Sequence, residues 1–213
     1  MTALAQNVAG CVLAGGLARR MGGGDKTLKK LSGRPMLAHV IERLSPQVRC
    51  VMLNANGDPA RFSDFGLPVA ADPIEGFAGP LAGVLAGLEW AKANEPDAEF
   101  VVSVAGDTPF FPEDLVARLL SSGLSPGEIV LARSDEGTHP VFGLWPVSVA
   151  SDLRDFLENG DTRKVLAFVD RHPNRSAHFE AARSDAATFD PFFNINTPEE
   201  LETAEALYRG KAA

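Results

Sequence analysis

The sequence is short of the features that mark several large classes of protein. It has only two cysteines, Cys11 and Cys50, and no Cys/His spacing of the kind that binds zinc. Both lie in apolar stretches that read as strands, so they are expected to be buried free thiols. No apolar run approaches the roughly 18 residues of a membrane span, and the N-terminus lacks a secretory pattern, so a cytoplasmic protein is the expectation. The formal net charge is −8, a poor match for nucleic acid or an anionic membrane surface. No internal repeat, long linker or low-complexity tract interrupts the chain. What remains is a chain of 213 residues with 45% hydrophobic and 23% charged residues, enough for one domain, residues 1–213, with a sizeable core.

Against that acidic background, Arg19, Arg20, Lys26, Lys29 and Lys30 form a basic exception. They lie in and just beyond Leu13-Ala14-Gly15-Gly16-Leu17-Ala18-Arg19-Arg20-Met21-Gly22-Gly23-Gly24-Asp25-Lys26, where five glycines occur. The segment follows Val8–Leu13, a short apolar run that reads as a buried strand. Glycine lets backbone N–H groups approach a ligand closely, and Arg and Lys add charge at the same place. A strand opening into such a loop is how α/β proteins hold nucleotide phosphates. A solvated basic turn is the plainer alternative. Two better-known phosphate motifs fail. A Walker A loop needs glycine before its Lys-Ser/Thr pair, and Asp25 stands there. The dinucleotide fingerprint needs glycines at first, third and sixth positions, which the two clusters do not supply.

Along the chain, strand and helix patterns alternate. Strands are expected at Val8–Leu13, Val48–Asn54, Phe100–Val104, Ile129–Ala132 and Val141–Trp145, the last two candidates for pairing, with shorter ones at Val69–Ala71 and Ala177–Phe179. Helices are expected after Pro35, at Gly79–Ala93, Glu113–Ser121, Val149–Leu157 and Arg163–Asp170, and from Pro198 to about Tyr208. The alternation predicts an α/β fold of three layers, Rossmann-like, with a mostly parallel sheet. Ligands in such folds bind beyond the carboxyl ends of the strands. The first loop, Asn54, Asp72 and Asp107 all fall at such ends.

Four segments in order resemble one family: Leu13-Ala14-Gly15-Gly16 through Arg20-Met21-Gly22-Gly23 to Asp25-Lys26; Gly79-Pro80-Leu81-Ala82-Gly83; Asp107-Thr108-Pro109; and Asn194-Ile195-Asn196-Thr197-Pro198-Glu199. The first is similar to the signature of nucleotidyltransferases with the nucleotide-diphospho-sugar-transferase fold. The whole set resembles the molybdenum cofactor guanylyltransferases, the family of molybdopterin-guanine dinucleotide biosynthesis protein A. The resemblance implies transfer of GMP from GTP to the terminal phosphate of molybdopterin, with release of pyrophosphate. It implies GTP and the molybdopterin cofactor as partners, and transient contact with cofactor-supplying proteins and molybdoenzyme apoproteins. It implies no nucleic-acid or membrane partner.

The implied chemistry accounts for the absence of a Ser-His-Asp or Cys-His arrangement. The nucleophile is a phosphate monoester with a second pKa of about 6, already mostly ionised at neutral pH, so no side-chain base is required. Catalysis then rests on alignment and charge neutralisation at the α-phosphate. The resemblance makes Asp107 the ligand of a single Mg²⁺, with substrate phosphates supplying further oxygens; otherwise Asp107 only caps the helix near Glu113. Lys26 is expected on the triphosphate, assisted by Arg19 in preference to Arg20. Asp25 either orients Lys26 or forms a turn. Leu13, Ala14 and Gly15 would meet the base and ribose through their backbone groups. Asn54 would meet the guanine edge, Asp72 the ribose or the base donors, and Gly79 would lie at the ligand-facing end of its helix. For Asn54 and Asp72 the alternative is turn formation, and for Gly83 and Gly87 it is close packing against another backbone. Asn194 and Asn196 are expected beside the pterin, with His139, Arg163 and Lys164 on the same side. A cytidylyltransferase acting on the same cofactor, a sugar-phosphate nucleotidyltransferase and a non-catalytic carrier of GTP or molybdopterin remain the rival functions.

Overall fold

The computed structural model describes residues 7–15, 24–74, 76, 79–121, 124–185 and 187–210. In chain order the elements are β1 (Val8–Leu13), β2 (Lys30–Leu31), β3 (Arg34–Pro35), α1 (Met36–Leu44), β4 (Cys50–Asn54), β5 (Val69–Ala70), α2 (Pro80–Asn94), β6 (Phe100–Ala105), α3 (Leu115–Ser121), β7 (Ile129–Ser134), β8 (Gly137–Pro146), α4 (Ala150–Asn159), α5 (Val165–Val169), β9 (Asn174–His178), β10 (Ala182–Arg183), β11 (Thr188–Phe189) and α6 (Pro198–Arg209).

The central sheet has seven strands in the order β5-β4-β1-β6-β8-β7-β9. β1 pairs in parallel with both β4 and β6, and β4 with β5. Only β8 runs against its neighbours, so the sheet is mostly parallel, as the alternation predicts. The period-two rule explains how β1 feeds two cores. Val8 and Val12 pack on one face with Leu37, Val40 and Leu44 of α1 and Leu115, Val116 and Leu119 of α3. Ala9 and Cys11 pack on the other with Leu81, Leu85 and Leu88 of α2, Leu153 of α4 and Phe168 of α5. These are the three layers. A third, smaller core joins Leu31, Met36, Phe110 and Ile195 to Ala204 and Leu207 of α6. It brings the C-terminal segment back beside the start of the chain.

Two differences from the sequence reading have plain causes. β2 and β3 form a two-residue hairpin that no apolar alternation announces. Its turn, Ser32-Gly33, takes positive φ at both residues (50° and 79°), the hairpin geometry that glycine supports. β8 begins at Gly137, not Val141, because pairing with β7 carries it through His139 and Pro140. The cysteines differ from each other. Cys11 is buried, its thiol pushed up to about 12 mainly by desolvation. Cys50 is only partly buried, its thiol pushed up to about 11 by the same cause with Glu95 nearby. Neither forms a reactive thiolate at neutral pH.

Candidate active site

The carboxyl ends of β1, β4 and β6 open into a cleft of about 650 Å³. Leu13, Gly15, Asp25, Asn54, Asp72, Gly79, Gly83 and Asp107 are among the residues lining it. The strand ends are tied together by backbone bonds. Ala14 N–H and Gly15 N–H both donate to the Asn54 carbonyl (2.9 and 3.1 Å), and Gly106 N–H donates to the Leu13 carbonyl (3.0 Å). The chain leaving β1 is therefore fixed from both sides before it enters the glycine-rich loop.

At one end, Asn54 is held in place. Its Nδ2 donates to the Ala70 carbonyl (3.2 Å) and to Asp72 Oδ1 (2.9 Å). Asp72 is gripped a second time by Asn56, whose Nδ2 donates to Asp72 Oδ2 (2.7 Å) and whose Oδ1 accepts from Asp72 N–H (2.8 Å). The expected pair, Asn54 and Asp72, is thus one oriented unit rather than two separate turn residues. α2 approaches it through small residues. Gly79 precedes the helix with φ of 72°, a conformation suited to glycine, and puts the positive helix end at the cleft. A Cβ on Gly83 would stand 2.4 Å from Asn54 Oδ1 and 2.7 Å from Leu13 Cδ2. Gly83 and Gly87 admit the side chains of Asn54, Leu13 and Cys11 rather than another backbone. Gly83→Val should therefore displace Asn54, raising the KM for nucleotide about tenfold or more and lowering the melting temperature by several degrees. Unchanged nucleotide binding in that variant would show that Asn54 does not contact the base.

At the other end, the Lys26 ammonium forms an ion pair with Asp107 Oδ2 and donates to Asn196 Oδ1. The remaining carboxylate oxygen, Asp107 Oδ1, accepts from the Thr108 hydroxyl (3.1 Å). The Asp107 carbonyl accepts from Ile195 N–H (3.0 Å). Asp107 therefore faces a cation rather than capping a helix, and that helix, α3, begins only at Leu115. Asp25 does not orient Lys26. Its carboxylate pairs with Arg61 Nε at 3.3 Å. Asn196, expected beside the pterin, turns to Lys26, whereas Asn194 is exposed. Arg163 donates from Nη1 to the Gly76 carbonyl (2.9 Å). Arg19 and Arg20 lie outside the described residues.

The segment carrying Asn196 is fastened at both ends. Beyond it, Thr197 and Glu200 form a capping box at the start of α6, and Glu200 Oε2 also accepts from Asn196 N–H (2.5 Å). Before it, Asp190 accepts from Phe192 N–H (2.7 Å) and from the Ser134 hydroxyl (2.5 Å). His139 Nε2 lies 2.7 Å from Ser134 Oγ, and its ring stacks on Phe192 at 4.3 Å. Burial holds its pKa below the ordinary 6.5, with the Asp190 and Glu136 charges opposing. This serine, histidine and aspartate do not form a nucleophilic triad. The single Ser134 proton goes to Asp190, so His139 Nε2 donates to the serine oxygen instead of accepting from it. The cluster is a clasp between the β7–β8 hairpin and the C-terminal segment.

Asn56, Gly57 and Arg61 also line the cleft, and the sequence reading assigned none of them. Arg61 lies in a 3₁₀ helix, Pro59–Phe65, that starts at an Asp58 cap. The one signal for it was the turn composition of Asn56-Gly57-Asp58-Pro59.

A mostly parallel three-layer sheet, a glycine-rich first loop and a lysine–carboxylate pair at the strand ends define a nucleotidyltransferase. The chain belongs to the family of MobA-like NTP transferase domains, whose model matches residues 10–176. It is 53% identical to the molybdenum cofactor guanylyltransferase of Rhodopseudomonas palustris (strain BisB5), over 92% of this chain and 91% of that one. It is 51% identical to the enzyme of the same name from Bradyrhizobium sp. (strain ORS 278), over 94% and 92%. Among solved structures, molybdopterin-guanine dinucleotide biosynthesis protein A from Archaeoglobus fulgidus superposes with a TM-score of 0.70 at 23% identity, covering 94% of this chain and 98% of that one. A 4-diphosphocytidyl-2C-methyl-D-erythritol synthase from Anaerococcus prevotii gives 0.70 at 12% identity, covering 96% and 97%. These two likenesses establish the fold, that of the nucleotide-diphospho-sugar-transferase type.

Proposed function

We propose that this chain transfers GMP from GTP to the terminal phosphate of molybdopterin, forming the guanine dinucleotide and releasing pyrophosphate. The observation that carries the reading is the convergence of Leu13, Gly15, Asn54, Asp72 and Asp107 on one cleft, with Lys26 paired to Asp107, in a chain about half identical to named guanylyltransferases. In the reaction a phosphate oxygen of molybdopterin bonds to the α-phosphorus of GTP. The bond from that phosphorus to the bridging oxygen breaks, and its electrons leave with pyrophosphate. Asn54 and Asp72 hold the nucleoside. Lys26, on the triphosphate, neutralises charge that builds on the leaving group. Arg19 is proposed to assist it. Asn194 and Asn196 are proposed for the pterin side, where Asn196 also sets the position of Lys26.

Mg²⁺ is proposed as cofactor. The donor set fits: Asp107 is a hard oxygen ligand that already engages a cation, the Lys26 ammonium. Asp107 and the substrate phosphates would hold the ion, which when bound supplies further neutralisation of phosphate charge. GTP and molybdopterin are the proposed partners, with transient contact to cofactor-supplying proteins and recipient apoproteins. No helix among the described residues is long and apolar enough to cross a membrane.

The test is incubation with molybdopterin, Mg²⁺ and each nucleoside triphosphate in turn, with identification of the dinucleotide and of pyrophosphate. The guanine dinucleotide is the expected product. A cytosine dinucleotide would make the chain a cytidylyltransferase. GTP binding without pyrophosphate release would make it a carrier.

A further inference from the structure

Asn56 is a hub for two oppositely polar groups on one wall of the nucleotide cleft. Its side chain holds the Asp72 carboxylate through two hydrogen bonds, and its backbone carbonyl accepts from NH2 of Arg61. Asp72, Asn56 and Arg61 all line that cleft. The guanidinium also lies over the Phe62 ring, 4.9 Å from its centroid. Nε faces Asp25 at 3.3 Å, and NH1 lies beside Gly57, where a Cβ would come within 3.5 Å of it. The Arg61 side chain is about 31% exposed and the Asp25 side chain 15%, so the guanidinium sits at the wall rather than swinging in solvent. Asp72 is acceptor-only and Arg61 is donor-only. Guanine, read on two adjacent edges, asks for that combination. Guanine offers the acceptors N7 and O6 next to the donors N1–H and N2–H. Adenine reverses the polarity at its six-position, and cytosine has a donor where guanine has O6.

We propose that Arg61 is a specificity-determining residue that donates to the N7/O6 edge of the guanine of GTP, while Asp72 accepts from N1–H and N2–H. The inference rests on the reading that this cleft binds GTP. It gives the Arg61–Asp25 pair a second role. Asp25 parks the guanidinium at the cleft until the base arrives, and it immediately precedes Lys26, so base recognition and the phosphate segment share a residue pair. Arginine is suited to the task because its planar fork meets two adjacent acceptors in a fixed geometry; a lysine ammonium also reaches N7 and O6, so a donor-free side chain is the informative replacement.

The experiment measures equilibrium binding of GTP, 7-deaza-GTP, ITP and CTP to the intact protein and to Arg61→Ala and Arg61→Met. Replacement of N7 by carbon removes one Arg61 acceptor, and ITP lacks the N2 amino group that Asp72 would read. Wild type should prefer GTP to 7-deaza-GTP by about tenfold, and GTP to CTP by more. Both variants should lose the preference over 7-deaza-GTP, to a ratio near one, while keeping the preference for GTP over ITP. Arg61→Met removes the donors but keeps an unbranched stem beside Phe62, so it carries the test if Arg61→Ala fails to fold. A ratio of GTP to 7-deaza-GTP unchanged from wild type in Arg61→Met would overturn the inference, whatever happens to overall affinity. Equal loss for both nucleotides would make Arg61 a phosphate or positioning residue instead. Wild type that binds GTP no better than CTP would overturn the reading of the cleft itself.

Discussion

Replacing Asp107 by asparagine should slow GMP transfer by roughly 10³-fold, the scale set when a charge-stabilising group is removed from a transferring phosphoryl centre. The fold should survive. Asparagine keeps the size of the side chain, and the backbone carbonyl that accepts from Ile195 N–H is untouched. The hydrogen bond from Thr108 has an amide oxygen to go to. Lys26 keeps its hydrogen bond to Asn196 and gains the new amide oxygen as an acceptor, so the largely buried ammonium stays hydrogen-bonded although it loses its counter-charge. The melting temperature should therefore stay within a few degrees of wild type while turnover collapses. The KM for GTP should rise less than kcat falls, because the lost carboxylate would hold the proposed Mg²⁺ on the phosphates during transfer, and the nucleoside contacts of Asn54 and Asp72 remain. Single-turnover transfer measured alongside a melting curve separates these effects. An Asp107→Asn protein with near-normal turnover would remove Asp107 from the reaction and, with it, the proposed Mg²⁺ ligand.

Much of this site was legible because strand ends announce themselves. Val8–Leu13, Cys50–Asn54 and Phe100–Ala105 are short, mostly apolar runs, and each has glycine, asparagine or aspartate at its end or within two residues of it: Gly15, Asn54, and Gly106 with Asp107. Burial on both faces of a parallel sheet produces such runs, so the residues after them could be read as facing a common edge. The resemblance added roles that spacing alone did not give. What was not legible is long-range pairing between polar groups. Lys26 meets Asp107 across 81 positions and Asn196 across 170, and no local pattern encodes which acid a lysine will find. Asn56 and Arg61 escaped notice for a related reason. They lie between β4 and β5 in a turn and a 3₁₀ helix, where propensity is weak and tertiary contacts decide the geometry. The Ser32-Gly33 hairpin was missed because two-residue strands are too short to show alternation.

Lys26→Ala should have two effects of opposite sign, and together they distinguish a catalytic lysine from a structural one. GMP transfer should fall by about 10²–10³-fold, since a cation directed at the departing pyrophosphate is lost in a site partly shielded from water. Mg²⁺ binding to the nucleotide-free protein should become tighter. In the ligand-free geometry the ammonium sits on Asp107 Oδ2, the oxygen a hard cation would take, so every divalent ion that binds there must first displace a charge held by Asp107 and Asn196 together. Removing the lysine frees both oxygens. The two measurements, turnover with saturating GTP and a Mg²⁺ titration without nucleotide, need no shared assumption about rate-limiting steps. A lysine that merely braced the fold would give weaker Mg²⁺ binding along with lower turnover, as Asp107 lost its orientation. Lys26→Arg extends the argument. It keeps the positive charge but not the compact single-nitrogen contact that both Asp107 and Asn196 share, so it should recover only part of the lost transfer rate. In this picture Asn196 matters through the lysine as much as through any substrate. The C-terminal segment, clasped by Asp190 and capped by Thr197 and Glu200, is what keeps that amide within reach of the ammonium.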